Sequence, residues 1–172
     1  MYSTFTLADV HLLALLRENA RASLTELCQE SGMPVSTAFL HLKKLEKSLI
    51  EGYTSILDFT LLDMPVHVIL AIRVAQERKY DTMALLMRSP YLNSLYRVSG
   101  DAQVLAELVF PGMSRLKQLI TTVKKQEPER IECYHIKDVG KREGFFCSGD
   151  LDVLTPCLPS FRMRVPNKYR RI

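Results

Sequence analysis

From Leu7 to Asn19 the apolar residues Ala8, Leu12, Leu13, Leu15 and Leu16 recur at a spacing that gathers them on one side of a helix. The pattern predicts a first helix with one buried face, and Thr6 stands where an N-cap is wanted. Ser23 is followed three residues later by Glu26, the capping box that opens a second helix, and Gly32 supplies the left-handed stop at its end. A third helix is expected from about Ser36, whose hydroxyl can cap it, to Lys47. Along it Ala38, Leu42 and Leu45 form an inward stripe at i, i+4 and i+7, with Phe39 beside them. Helices this short cannot each enclose a core, so the three must pack on one another.

The period then changes. Ile50 to Phe59 reads as two short extended pieces, and LLDMP, ending at Pro65, as a connection. Strands are expected at 67–75, 91–99, 102–110 and 130–139, with helices at 80–89 and 113–126. Gly100-Asp101 marks a tight hairpin between the second and third strands, and Pro128 stops the second of these helices. The order β-α-β-β-α-β is the split, ferredoxin-like arrangement with both helices on one face of an antiparallel sheet. The expected class is therefore α+β: residues 1–64 a winged helix-turn-helix, 65–139 a ferredoxin-like domain, and 140–172 a C-terminal extension. That extension keeps Phe145, Phe146, Leu151, Val153, Leu154, Phe161 and Val165 among its Pro and Gly signals, which suits a wrapping or interface arm. It is also all that the chain has left to cover the sheet's second face.

Composition narrows the class without naming a function. Of 172 residues 47% are hydrophobic and 24% charged, ordinary globular values that disfavour disorder and fibrous repeats. The longest apolar run, Val66 to Ile72, is too short to span a bilayer, so no membrane association is expected. MYSTFTLADV lacks the basic head and apolar stretch of a signal peptide, and the four cysteines, Cys28, Cys133, Cys147 and Cys157, stand at unrelated spacings. Both point to a reducing cytoplasm. The net charge of +4 is unevenly spread: residues 1–64 carry five Lys and Arg against eight Asp and Glu. Residues 65–140 carry eleven against eight, and residues 141–172 seven against three. Any contact with nucleic acid must then rest on where individual cations sit, not on a basic N-terminal half. Arg162, Arg164, Lys168, Arg170 and Arg171 offer either nonspecific phosphate contacts or, as the simpler reading, a solvated end.

The stretch GMPVSTAFLHLKKLE sets the corner of a helix-turn-helix. Two helices that cross steeply need a small residue at the contact, a glycine to open the turn and an apolar plug after it, supplied here by Cys28, Gly32 and Met33. With Ala38, Leu42 and Leu45 inward, the outward face of the third helix is expected to show Ser36, Thr37, Leu40, His41, Lys44 and Lys47, with Lys43 at its margin. Hydroxyls and an apolar side chain in the first turns suit base edges and a thymine methyl group, and the lysines suit phosphates. The competing reading is a solvated face braced by local charge pairs such as Lys43 with Glu46.

Ala8-Asp9 with Leu12-Leu13-Leu16, then Asn19 to Ser23, Glu26-Leu27, Gly32-Met33, Leu42, Leu45-Glu46 and Ile50-Glu51-Gly52-Tyr53, is similar to the winged helix-turn-helix of the leucine-responsive/asparagine-synthase regulator family, Lrp/AsnC. Pro90 before the second strand and Ser99-Gly100 at the hairpin resemble that family's ligand-sensing domain. The resemblance covers about residues 5 to 139. It implies a regulator that binds double-stranded DNA as a homodimer or higher homo-oligomer through its sheet domains, with a small effector such as an amino acid held between those domains. Carried over residue by residue, it adds Tyr53 in the wing to the DNA contacts and places effector contacts at Ser99, Gly100, Asp101 and Gln103. The chain departs from the family in a turn one residue shorter before the wing, in Leu40 and His41 where arginines are common, and in Gln103 where an acid is usual.

A different class is also open: a small-molecule-binding or siroheme-decarboxylase-like oligomer with a vestigial helix-turn-helix, motivated by the acidic N-terminal half. Against catalysis, YRVSGDAQVLAELVF offers no match to the histidine-arginine and aromatic-rich stretch of those relatives, and His11, His67 and His135 are dispersed. Cys133 and His135 share one side of a strand but lack a second pair, so no metal is expected, nor any cofactor. Tyr96 and Arg97 read as packing and interface residues.

Overall fold

A computed structural model of the chain describes residues 5–147. Its described residues divide into two compact units: the first combines residues 5–55 with 141–147, and the second runs Ile56–Gly140.

In the first unit three helices, α1 (Leu7–Glu18), α2 (Leu24–Ser31) and α3 (Val35–Ser48), surround a core of Leu12, Leu15, Leu16, Leu27 and Leu45. Both ends predicted from capping chemistry form. The Ser23 amide donates to Glu26 Oε2 at 2.6 Å while the Glu26 amide donates to Ser23 Oγ at 3.2 Å, and this reciprocal pair holds the Glu26 carboxyl below its usual pKa. Gly32 closes α2 at φ 67°, a conformation that a β-carbon would strain. The start of α3 differs from expectation. Ser36 does not cap it; the helix begins one residue earlier at Val35, with Pro34 at the cap and the Ala38 amide donating to the Pro34 carbonyl at 2.9 Å. Pro34, at ψ 145°, stands just outside the helix, and no side chain caps the first turn. Ile50 to Asp58 also differs from expectation, for it contains neither strand nor helix. A hairpin there would need an apolar face to bury, yet Tyr53, Ile56 and Leu57 are all exposed.

The described part of the C-terminal extension, Lys141–Cys147, groups with this helical unit. Arg17, in the last turn of α1, donates to the Glu143 carbonyl at 2.7 Å, to the Glu143 carboxylate at 2.9 Å and to the Phe145 carbonyl at 3.1 Å. Phe146 is buried. Arg17→Ala should lower the thermal stability of the helical unit by about 1 kcal/mol, because the ion pair is solvated and only the carbonyl contacts are hard to replace. Thermal denaturation followed by circular dichroism would show it. Leu151, Val153, Leu154, Phe161, Val165, Cys157 and the terminal cations lie outside the described residues.

The second unit is an antiparallel sheet of β1 (Val66–Arg73), β2 (Leu92–Arg97), β3 (Val104–Phe110) and β4 (Arg130–His135) in the order β2-β3-β1-β4. Helices α4 (Lys79–Met87) and α5 (Met113–Lys124) connect the strands as the β-α-β-β-α-β order requires. Val68, Leu70 and Ile72 of β1 and Val104, Ala106, Leu108 and Phe110 of β3 point to one face and pack with Leu86, Leu116 and Val123 of the helices. The alternation that makes these strands legible also leaves a second face, bearing His67, Ile69, Glu107, Tyr96 and Tyr134.

Candidate nucleic-acid interface

Helix α3 sorts its residues by a 3.6-residue period. Ala38 and Leu45 are buried and Leu42 half-buried, so Ser36, Leu40, Lys43 and Lys47, at i, i+4, i+7 and i+11, lie along the opposite side and are exposed. Leu40 is 68% exposed. Thr37 is half-buried at the edge of this stripe. Phe39, placed by periodicity beside the core, is exposed as well, with the Lys43 ammonium 5.7 Å from its ring centre. Lys43 also approaches Glu46 at 3.8 Å, one turn on, while Lys47 has no ion-pair partner among the described residues. The result is a ridge of hydroxyl, apolar and cationic groups in that order along one helix.

His41 and Lys44 depart from the outward orientation expected of them. Both turn toward α1, where the Asp9 carboxylate receives His41 Nδ1 at 2.6 Å on one oxygen and Lys44 Nζ at 2.7 Å on the other. The same carboxylate accepts the Thr6 amide at 2.6 Å and the Thr6 hydroxyl at 2.9 Å, completing a capping box with the Asp9 amide and Thr6 Oγ1 at 3.3 Å. Only 1% of the Asp9 side chain is exposed. Burial by itself would raise its pKa, but the hydrogen bonds from Lys44, His41 and Thr6 together outweigh it and hold the carboxyl below the usual range. The physical reason for the departure is that a buried carboxylate needs donors, and the flank of α3 facing α1 is where they come from. Asp9 is therefore a member of this site that periodicity does not reveal. The signal was present in Thr6-x-x-Asp9, an acid at the third helical position behind a threonine.

Comparison with known proteins bears on the domain type and the fold. The family described as winged helix-turn-helix DNA-binding matches residues 7–48. The leucine-responsive regulatory protein of Haemophilus influenzae is 26% identical over 124 residues, spanning 70% of this chain and 75% of its own length. Among solved structures, a transcriptional regulator of Neisseria meningitidis in complex with L-Met has a TM-score of 0.74 at 19% identity, over 81% of this chain and 94% of that one. AsnC of E. coli has a TM-score of 0.69 at 16% identity, over 78% and 93%. The chain carries a winged helix-turn-helix DNA-binding region and is similar to transcriptional regulators of the Lrp/AsnC type.

Tyr53 follows α3 and its hydroxyl lies 3.4 Å from Glu46 Oε1; partial burial, then the Glu46 charge and hydrogen bond, raise the phenol pKa. The hairpin expected at Gly100-Asp101 is wider than two residues. β2 ends at Arg97 and β3 begins at Val104, with Val98 N–H donating to the Gln103 carbonyl at 3.0 Å and Gly100 at φ 130°. Gln103 is what opens it: its amide donates to the Ile72 carbonyl and its side-chain oxygen accepts the Val74 amide, each at 3.0 Å. Ser99, Gly100 and Asp101 are exposed, and Asp101 borders a recess of about 80 Å³ with Arg73 and Arg130. That volume is well under the roughly 300 Å³ of a complete ligand site, so a single chain does not enclose one there. Cys133 Sγ and His135 Nε2 are 3.9 Å apart, and among the described residues no group of three or more His, Cys, Asp or Glu side chains could hold a metal ion.

On the open sheet face His67 Nε2 meets Glu107 Oε1 at 2.7 Å, and Asn93 donates to the other Glu107 oxygen at 2.9 Å. Burial pushes the Glu107 carboxyl up, and donors from Asn93, His67 and Ser94 bring it below its usual range. Tyr96 and Tyr134, on the outer strands of the same face, are both more than half exposed.

Proposed function

We propose that this regulator binds operator DNA as a homodimer or higher homo-oligomer and responds to an amino acid or another small effector. The observation that carries the reading is the exposed Ser36-Leu40-Lys43-Lys47 ridge next to a flank, His41 and Lys44, that is anchored to α1. In this reading α3 enters the major groove. Ser36 and Thr37 address base edges, Leu40 a thymine methyl group, Lys43 and Lys47 the phosphates, and Tyr53 the backbone beside the groove. His41 and Lys44, held by the Asp9 carboxylate, keep the helix in register. A dimer would present two such helices to half-sites one turn, or a multiple of one turn, apart.

Two further observations support assembly and sensing. The open sheet face, with its exposed Tyr96 and Tyr134 and its apolar Ile69 and Val109, is suited to a second copy, as are the exposed Ile56, Leu57, Leu61 and Leu62 of the connection. Residues 65–139 are thus read as the dimerising and sensing domain, residues 1–64 as the DNA-binding domain and residues 140–172 as an arm. The Neisseria regulator was solved with L-Met, which supports an amino acid as effector; Ser99, Gly100, Asp101 and Gln103 would contribute once a second chain completes the recess. A cytoplasmic, non-catalytic protein fits its regulator relatives, and no helix among the described residues is long and apolar enough to cross a membrane.

Fluorescence anisotropy with DNA from upstream of the protein's own coding region, across a salt series, tests the interface. The Lys43→Ala, Lys47→Ala double variant should reduce the slope of log affinity against log salt by about 1.8, near 0.9 per phosphate contact. An unchanged slope would remove both lysines from the interface.

A further inference from the structure

We propose that the groove between α4 and α5 is a binding site for a small amphipathic monocarboxylate, separate from the hairpin region and from the helix-turn-helix. The groove has a volume of about 530 Å³, within the range of small-molecule sites. Its position follows from topology. β1 and β2 both pair antiparallel with or flank β3 so that they run parallel, and α4 and α5 consequently run antiparallel to each other. The C-terminal end of α4 therefore lies by the N-terminal end of α5. Arg88 and Arg115 both line the groove at that end, and Asp81 lies two turns away at the other, about 10 Å along the helix. Ala84, Leu85 and Leu119 form the apolar stretch between them.

The charge pattern selects the occupant. α5 contains no acidic residue but carries Arg115, Lys117 and Lys124, and Asp81 is the one acid of α4. Among the described residues the Arg88 and Asp81 side chains have no hydrogen-bond or ion-pair partner, and Arg115 donates only to the neutral Gln118 at 3.2 Å. Two arginines lining one end of the groove with no acid among the lining residues there favour a carboxylate at that end, with the planar, paired geometry that arginine provides. The apolar middle takes a hydrocarbon or aromatic body. Asp81 at the far end repels a second anion, which sets a monocarboxylate apart from a dicarboxylate of the same length. The helices cover the face of the sheet opposite the one proposed for dimerisation, so assembly through the sheet leaves this groove open.

The test uses the full chain without DNA, so its outcome is independent of the operator reading. Octanoate, kept below its micellar concentration, is titrated while backbone amide resonances are followed by NMR, in parallel with octylammonium and the eight-carbon dicarboxylate suberate. Octanoate should shift Leu85, Arg88, Arg115 and Leu119, octylammonium should not, and suberate should bind several-fold more weakly. Arg88→Ala with Arg115→Ala should weaken octanoate roughly tenfold or more, the worth of a charge-assisted pair. Ala84→Leu, which narrows the groove and keeps both arginines, should also weaken it, whereas Lys117→Ala should not. Equal shifts with octylammonium, shifts centred on Ser99 to Gln103, or undiminished binding by both groove variants would overturn the proposal.

Discussion

Asp9→Ala is expected to lower the stability of the helical unit by about 3 kcal/mol and to abolish specific DNA binding. About 1 kcal/mol of this is the lost capping box at the start of α1. The rest comes from His41 and Lys44, which both lose the carboxylate that accepts their hydrogen bonds and fixes the flank of α3 against α1. In a unit of this size the loss corresponds to a fall in melting temperature of roughly 15 °C. Asp9→Asn keeps an acceptor for the cap but removes the charge, so it should fall between the parent and the alanine variant. Chemical denaturation and anisotropy on the same samples separate stability from binding: DNA affinity should stay low even at temperatures where Asp9→Asn remains folded, because register and not folding has been lost. The pH dependence has a definite sign. The Asp9 carboxyl is depressed in the folded protein, so its stabilisation is complete above the ordinary carboxylate pKa of about 4 and disappears as pH falls through the depressed value. The difference in stability between parent and Asp9→Ala should shrink on acidification below pH 4; a constant difference would mean that the carboxylate charge is not what α1 contributes.

Phe110→Ala should cost the sheet unit about 3–5 kcal/mol, the expected price of an aromatic-sized cavity in a packed core. Phe110 is fully buried at the end of β3, and its ring centre lies 4.9 Å from that of Tyr91. Losing it removes the contact between the strand end and the chain entering β2, so urea unfolding of the sheet unit should shift to lower concentration. Oligomerisation and DNA affinity should fall together, since the dimer reading places assembly on this unit, while the helical unit keeps its helical circular dichroism. Sedimentation analysis measures the first and anisotropy the second. A variant that dissociates yet binds DNA as tightly as the parent would remove assembly from the binding mechanism.

Much of the fold is written in short-range chemistry. Thr6, Ser23 with Glu26, and Gly32 act within one helical turn of their own backbone, and the alternation in β1 and β3 repeats every two residues, so each can be recognised in a window of a few positions. Features that depend on a distant partner are not legible in that way. His41 and Lys44 sit on the polar side of α3 by periodicity, and only Asp9, 32 and 35 residues earlier, turns them inward. Phe39 shows the converse: it is large and apolar at a position next to the core stripe, yet no neighbour from α1 or α2 covers it. The width of the β2–β3 loop was likewise set by Gln103 bonding to the end of β1, a contact between strands and not a property of Gly100-Asp101.

By itself, then, the order of residues determined the helices, the strand order of an α+β chain and the helix that carries the candidate interface, because caps, stops and hydrophobic periods act locally. The tertiary structure decided which cations of that helix remain free to meet a ligand and which are spent on a buried carboxylate. That choice depends on how α1 and α3 approach one another, where desolvation of one acid outweighs the local preference of two bases for water.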